Sequence, residues 1–301
     1  MSSSDLLVGI DVGGTKVALR AQTVDGQAVC DIVVGSREWE AEPEDQAARY
    51  LDDVLGRVVG PANISQLVVG AQGLNTPAVS RNLEIELQDL GYRRVKCVND
   101  AELLPAAADE DKAIALVTGT GSIAIGWGPA GNLMQAGGWG WILGDDAGGA
   151  AIVREAVRSV LDAHDWGRDD VLLLEALLGE FGASDAERLA RVVNDDSRID
   201  NWAPHAPAIF DVAEAGSTLA QMVIRNAAAH AVLLVDQLLA RGAVADAVVA
   251  AGSIVQKSKL FEENLRTQLV TRVPGMRLVV LEEQPVAGAL ALARQAVGTE
   301  F

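Results

Sequence analysis

Leu6-Leu-Val-Gly-Ile-Asp11-Val-Gly13-Gly14-Thr15-Lys16-Val-Ala-Leu-Arg-Ala-Gln-Thr23-Val-Asp25-Gly26-Gln-Ala28-Val-Cys30-Asp-Ile-Val-Val-Gly35 decides the fold class of this chain. Its three short runs, LLVGID, KVALRAQT and AVCDIVVG, are rich in Val, Ile and Leu, residues that suit a pleated, buried surface. Gly13-Gly14 separates the first two runs. Asp25-Gly26 separates the second and third, and Asp-Gly favours tight hairpins because it tolerates positive φ. The reading is an antiparallel three-stranded start.

The period then changes. Pro43 opens a segment whose Leu51, Val54, Leu55, Val58 and Val59 form one apolar helix face, with Gly60-Pro61 as the expected stop. Leu67–Gly73 reads as a buried strand. Leu83, Leu87 and Leu90 suggest a helix, Arg94–Asp100 a strand, and AELLPAAA a helical segment. The order βββ-α-β-α-β-α predicts a mixed sheet covered by helices. The plan restarts with strands at Ala113–Gly119, Ser122–Gly128 and NLMQAGG. A helical stretch through Ile152, Val153, Ala156, Val157 and Val160 follows, and residues 169–241 read as almost wholly helical. DAVVAAGS and MRLVVLEE are late strands, and PVAGALALARQAV is a closing helix behind Pro285. Two domains follow: residues 1–105 plus the closing helix at 285–301, and residues 106–284 with a helical insertion.

Composition narrows the function classes. The 301 residues are 50% hydrophobic, enough for substantial cores, and 42 acidic against 24 basic residues give a net charge of −18. Such a surface repels phosphate backbones and anionic lipid, so neither nucleic acid nor membrane is an expected partner. No apolar run reaches the roughly 18 residues of a membrane span, and the N-terminus lacks a basic leader region. A cytoplasmic location is expected. Cys30 and Cys97 sit in strand-like runs and read as reduced core thiols. His164, His205 and His230 lie outside every motif.

Three glycine turns carry the candidate chemistry. Asp11 ends a strand and leads into Gly13, Gly14, Thr15 and Lys16. Such a turn is either a plain hairpin or a cradle whose N–H groups hold phosphate. Thr118-Gly119-Thr120-Gly121-Ser122 repeats the theme at the equivalent point of the second half. A triphosphate gripped from both sides of a cleft would need two such turns. Gly252-Ser253 follows DAVVAA where a strand meets a helix, a usual place for a nucleotide. Asp100 ends its strand and is placed either for general-base work or as a cap for the segment from Ala101.

These turns, with Asp100 between them, resemble the superfamily of sugar kinases, heat-shock chaperone ATPases and actin. DVGGTK resembles its first phosphate motif, VTGTGS its second, VVAAGSI its adenosine motif and PVAGALALA its second connecting helix. Gly119–Val157, with GGWG followed by Gly-Asp, is most similar to the N-acetylglucosamine kinase and BadF/BadG ATPase branch. The resemblance implies two ribonuclease H-like, actin-like α/β domains around a central cleft. It implies an ATP-dependent kinase acting on the 6-hydroxyl of an amino sugar, N-acetylglucosamine ahead of glucosamine, and a homodimer. ATP would meet Gly13, Gly14, Thr15, Lys16, Gly119, Thr120, Gly121, Ser122, Gly252 and Ser253. Mg²⁺ would be held through Asp11, and Asp100 would be the base. The sugar would meet Gly73, Asn99, Asp100, Thr120, Gly138, Trp139, Gly140 and Asp145, with Trp139 open to a packing role instead. ROK glucokinases carry a Cys-rich zinc motif and an ExGH motif, both missing here. BadF-type activators hold an iron–sulfur cluster on two cysteines per subunit, and Cys30 and Cys97 stand far from the second phosphate turn in sequence. Two departures bear on the sugar. GDDAGG stands where relatives have GDEGS, so Asp146 replaces Glu. The loop Gly35–Glu40 lacks the Asn that reads an acetamido group in N-acetylglucosamine kinases.

Overall fold

The computed structural model describes residues 5–14, 16–36, 38–58, 63–195, 198 and 202–298. The chain divides into two units, Met1–Asp111 with Glu283–Phe301, and Lys112–Glu282.

In the first unit, β1 (Leu6–Val12), β2 (Lys16–Thr23) and β3 (Ala28–Gly35) form the antiparallel meander that the glycine turns predict. β4 (Ile64–Ala71) and β5 (Val95–Asn99) extend the sheet in parallel, giving the order β3-β2-β1-β4-β5. All seven residues of β1 are buried because helices cover both faces. Val8, Ile10 and Val12 pack with α1 (Glu44–Gly56) and α2 (Pro77–Asp89) through Leu51, Leu55, Leu83 and Leu87. Leu7 faces the other way, in a second core with Leu103 of the short helix α3 (Leu103–Ala107) and the Ala289, Leu290 and Ala293 side chains of the chain's last helix. α1 ends at Gly56, before the expected Gly60-Pro61 stop. Gly56 is itself a poor helix former, and a turn bond from Val58 N–H to the Leu55 carbonyl closes the helix there. Val59, Gly60 and Pro61 lie outside the described residues.

The second unit repeats the topology. β6 (Ala113–Thr118), β7 (Ser122–Trp127) and β8 (Leu133–Gly137) are antiparallel. β9 (Ala247–Ala251) and β10 (Arg277–Val280) add in parallel, giving β10-β9-β6-β7-β8. Among the described residues, five α-helices stand between β8 and β9: α4 (Gly149–Asp165), α5 (Val171–Phe181), α6 (Ala186–Asp195), α7 (Ala206–Glu214) and α8 (Thr218–Ala240). The Asp170 carboxylate caps α5 through Leu173 N–H and also accepts from Ser217 and Leu219 at the start of α8, tying two helix starts together. α8 is long and apolar enough to cross a bilayer, yet Ile224, Ala228, Val232 and Val235 are core residues of this unit. That burial explains its hydropathy. α9 (Ser253–Lys257) and α10 (Lys259–Arg272) connect β9 to β10, and α11 (Val286–Gly298) closes the first unit. The α/β class and the two mixed sheets agree with the sequence reading.

Candidate functional site

The first unit gathers its polar residues at the C-terminal ends of the parallel strands. Register pairs Asp11 of β1 with Gly70 of β4, and Ala71 of β4 with Asn99 of β5. Side chains alternate along a strand, so Asp11 shares the face of Leu7 and Gly9, the side covered by α11. Asp11 is 8% exposed. Burial pushes its carboxyl up to about 7, the nearby Asp100 charge adds to the rise, and Lys16 opposes it. Burial also raises Asp100 to about 6, against the pull of the Ala101 N–H. A buried carboxyl, Asp11, and a half-buried one, Asp100, whose charge disfavours ionisation of the first, form the electrostatic centre of this unit.

This arrangement has a cost in stability. Between about pH 4 and 7 the folded Asp11 keeps a proton that the unfolded chain has lost, so stability falls as pH rises through that window. In metal-free buffer, Asp11→Asn should flatten that fall and stabilise the protein at pH 8 by about 2–3 kcal/mol. Thermal melts of both proteins at pH 5 and pH 8 test this. A variant that melts below wild type at both values would assign Asp11 a purely structural bond.

The first glycine turn closes with Gly13 N–H donating to the Lys16 carbonyl at 3.0 Å. Gly14 stands against Gln72, since a Cβ there would come 3.0 Å from Oε1. Lys16 is exposed at the start of β2, and Thr15 lies outside the described residues. Gln72 also fixes the 35–40 loop, accepting from Trp39 Nε1 at its carbonyl, 3.0 Å. Gly73 has φ +93° beside Ala41. Asn99, not Asp100, is the cap of the next turn. Its Oδ1 accepts from Ala101 N–H, and Glu102 returns a bond to the Asn99 N–H. Asn99 Nδ2 donates to Asn75 Oδ1 at 3.0 Å. The Asp100 carboxylate is thereby left with local backbone partners, among them Ala101 N–H at 3.0 Å.

In the second unit the turn Gly119–Ser122 rests on the start of α4. Gly149 N–H donates to the Gly119 carbonyl at 2.8 Å and Ala150 N–H to the Thr120 carbonyl at 3.3 Å. In a trans peptide the N–H opposes the carbonyl, so the N–H groups of Thr120 and Gly121 point away from α4. The turn thus presents donors, as an anion cradle requires. Gly252, φ +108°, backs onto the same turn, and a Cβ there would overlap the Thr118 carbonyl. Ser253 follows, exposed, at the head of α9.

Asp145 folds back beneath this turn with φ +57°, a conformation Asp tolerates better than most residues. A Cβ on Gly121 would run into its Oδ2. Burial raises the Asp145 carboxyl and the Asp146 charge adds to that, against backbone N–H groups of Gly140, Ser122 and Gly138. Its Oδ1 is buried with no partner among the described residues. Ser122 Oγ accepts from Ala147 N–H at 3.2 Å. Trp139 is 71% exposed, with Ile142 and Leu143 also exposed, so it is not a packing aromatic. Trp141 packs instead, 4.9 Å from Trp202. Asp146 does not assist Asp145. It pairs with Arg154 at 2.7 Å, and Arg154 also holds the Trp141 carbonyl.

Sequence reasoning missed Asn75, Gln72 and Arg154 as organisers of the two sites. Each acts through a partner distant in sequence. Cys30 and Cys97 lie on the opposite edge strands of the first sheet, four strand spacings or about 19 Å apart, too far to share one cluster. No group of three or more metal-binding side chains occurs among the described residues.

The N-acetylmuramic acid/N-acetylglucosamine kinase of Clostridium acetobutylicum is 22% identical over 96% of this chain and 98% of its own length. The N-acetyl-D-glucosamine kinase of Dictyostelium discoideum is 22% identical over 97% of this chain and 98% of its own. Among solved structures, a ROK family glucokinase from Streptomyces griseus, in complex with glucose and AMPPNP, shares the fold at a TM-score of 0.60 and 16% identity, covering 96% of this chain and 98% of that one. Across residues 8–293 the chain matches the model of the BadF/BadG/BcrA/BcrD ATPase family, and it belongs to that family.

Proposed function

We propose that the chain transfers the γ-phosphoryl group of ATP to the 6-hydroxyl of an amino sugar, N-acetylglucosamine ahead of glucosamine. The observation that carries this is the pair of carboxyls raised by burial, Asp11 at the end of β1 and Asp100 just past the end of β5, two strands away in the same sheet. Asp100, raised toward neutrality, takes the proton of the sugar hydroxyl as its oxygen attacks phosphorus in line. Gly13, Gly14, Thr15, Lys16, Gly119, Thr120, Gly121 and Ser122 would hold phosphate, Thr120 and Gly121 through their outward N–H groups. Gly252 and Ser253 meet the adenosine.

A buried carboxyl with raised affinity for a proton also suits a hard cation, so Mg²⁺ fits Asp11, directly or through water. When bound it supplies positive charge beside the phosphates. Asp145, with its unpaired Oδ1, accepts from sugar hydroxyls. Gly73, Asn99, Thr120, Gly138, Trp139 and Gly140 line the sugar. Arg154 pairs with Asp146, which leaves Asp145 as the single carboxylate offered to the sugar, and the uncharged N-acetylglucosamine stays ahead of glucosamine. The reading includes a cytoplasmic homodimer whose partner is a small-molecule sugar, with neither nucleic acid nor membrane.

ADP release across N-acetylglucosamine, glucosamine and glucose tests the reading. Turnover only with an amino sugar is expected, and Asp145→Ala should lower kcat/KM by about 2–4 kcal/mol for each sugar that uses its carboxylate. Turnover without sugar would make this an ATPase acting on a partner, and glucose outperforming both amino sugars would remove the amino-sugar assignment.

A further inference from the structure

One asparagine, bonded to the residue that precedes the candidate base, has no part in the reaction above. Asn75 sits in the loop after β4, and its orientation is fixed by a chain of bonds. Asn99 Oδ1 accepts from Ala101 N–H at 3.1 Å, so the Asn99 amide nitrogen must point the other way, where it donates to Asn75 Oδ1. An amide has one acceptor side and one donor side. With Oδ1 committed to Asn99, the NH₂ of Asn75 is its free face. Asn75 lines a recess of about 350 Å³ in the first unit, together with Glu40, Glu42, Ala41 and Val79. That lining, with Gly73 and Thr76 completing it, offers an amide donor, a hydroxyl, two carboxylate acceptors and two small apolar side chains. An acetamido group is the complement: a carbonyl acceptor, an N–H donor and a methyl. A free amine lacks both the carbonyl and the methyl.

We infer that Asn75 determines specificity for the 2-substituent of the sugar, donating from Nδ2 to the acetamido carbonyl in place of the asparagine that the Gly35–Glu40 loop lacks. The inference rests on the amino-sugar kinase reading and supplies its selectivity. The two functions of Asn75 separate by substitution. Asn75→Asp keeps an oxygen to accept from Asn99 but replaces the donor with an acceptor. Asn75→Ala removes both.

The experiment measures kcat and KM for N-acetylglucosamine and glucosamine in wild type and both variants. In Asn75→Asp, kcat/KM for N-acetylglucosamine should fall by about tenfold, mainly through KM, the size expected for one lost hydrogen bond to the sugar. That for glucosamine should hold or rise, because the recess gains a third carboxylate facing an ammonium. Asn75→Ala should lower both. An equal loss for both sugars in Asn75→Asp, or no loss for N-acetylglucosamine, overturns the inference while leaving the kinase reading standing. A wild type that phosphorylates neither sugar overturns both at once.

Discussion

Asp100→Asn should leave nucleotide and sugar binding close to wild type and cut kcat by about 10²–10⁴, the usual worth of a general base. The substitution is conservative here for a specific reason. Asp100 Oδ1 accepts from Ala101 N–H, and an asparagine oxygen can keep that bond. The turn itself is capped by Asn99 and Glu102, so neither the strand end nor the following α3 depends on the Asp100 charge. Removing a negative charge beside Asp11 should also relieve its raised pKa, and the variant should melt no lower than wild type. Sugar binding by calorimetry and single-turnover kinetics separate the two effects. A variant retaining more than about a tenth of wild-type kcat excludes Asp100 as the base.

Gly121→Val should be the most damaging single change in the second unit. A Cβ at this position meets the Asp145 carboxylate, and Gly148 leaves only 2.5 Å between its own would-be Cβ and the Gly121 Cα. Nothing on that side can give way, because Arg154 holds the segment on both sides of Asp145, at Trp141 and Asp146. A branched side chain must therefore displace Asp145 or lift the turn away from α4. The first outcome spoils the sugar site and the second misdirects the N–H groups of Thr120 and Gly121. ATP affinity and sugar affinity should fall together, each by about 10²-fold or more, as the loss of two or more hydrogen bonds implies. Fluorescent nucleotide titration and sugar calorimetry on the folded variant check this. Unchanged nucleotide affinity would remove the Gly119–Ser122 turn from the phosphate site.

The strands and their order were legible because glycine turns and Val/Ile runs are local signals. Asp25-Gly26 and Gly13-Gly14 alone suffice for the first meander. Repetition of the pattern from Ala113 made the second sheet readable in the same way. The end of α1 was misplaced because Gly60-Pro61 is the louder stop signal, whereas a bond at Val58 and the low propensity of Gly56 end the helix first. In the candidate sites, the glycines and Asp residues announce themselves. Their supports do not. Arg154 reaches Asp146 from the first turns of a helix, and Asn75 reaches Asn99 across 24 positions. Neither pairing has a sequence spacing that any periodicity reveals.

The first unit is built from both ends of the chain. Leu7, Val68 and Val98 reach a complete core only when Ala289, Leu290 and Ala293 of α11 arrive. A ribosome synthesises β1 some 280 residues before α11, so for most of translation that face of the sheet has only Leu103 of α3 to cover it. The second unit, continuous from Lys112 to Glu282, can fold as soon as it emerges. The order of maturation is therefore reversed relative to the order of synthesis: the part made first is finished last. The Asp11 carboxyl shares the face that α11 covers, so the nascent chain carries it still hydrated until the final helix docks. A nascent protein released before residue 286 would hold a folded second unit beside an open sheet, a form that chaperones and proteases recognise by its exposed apolar surface.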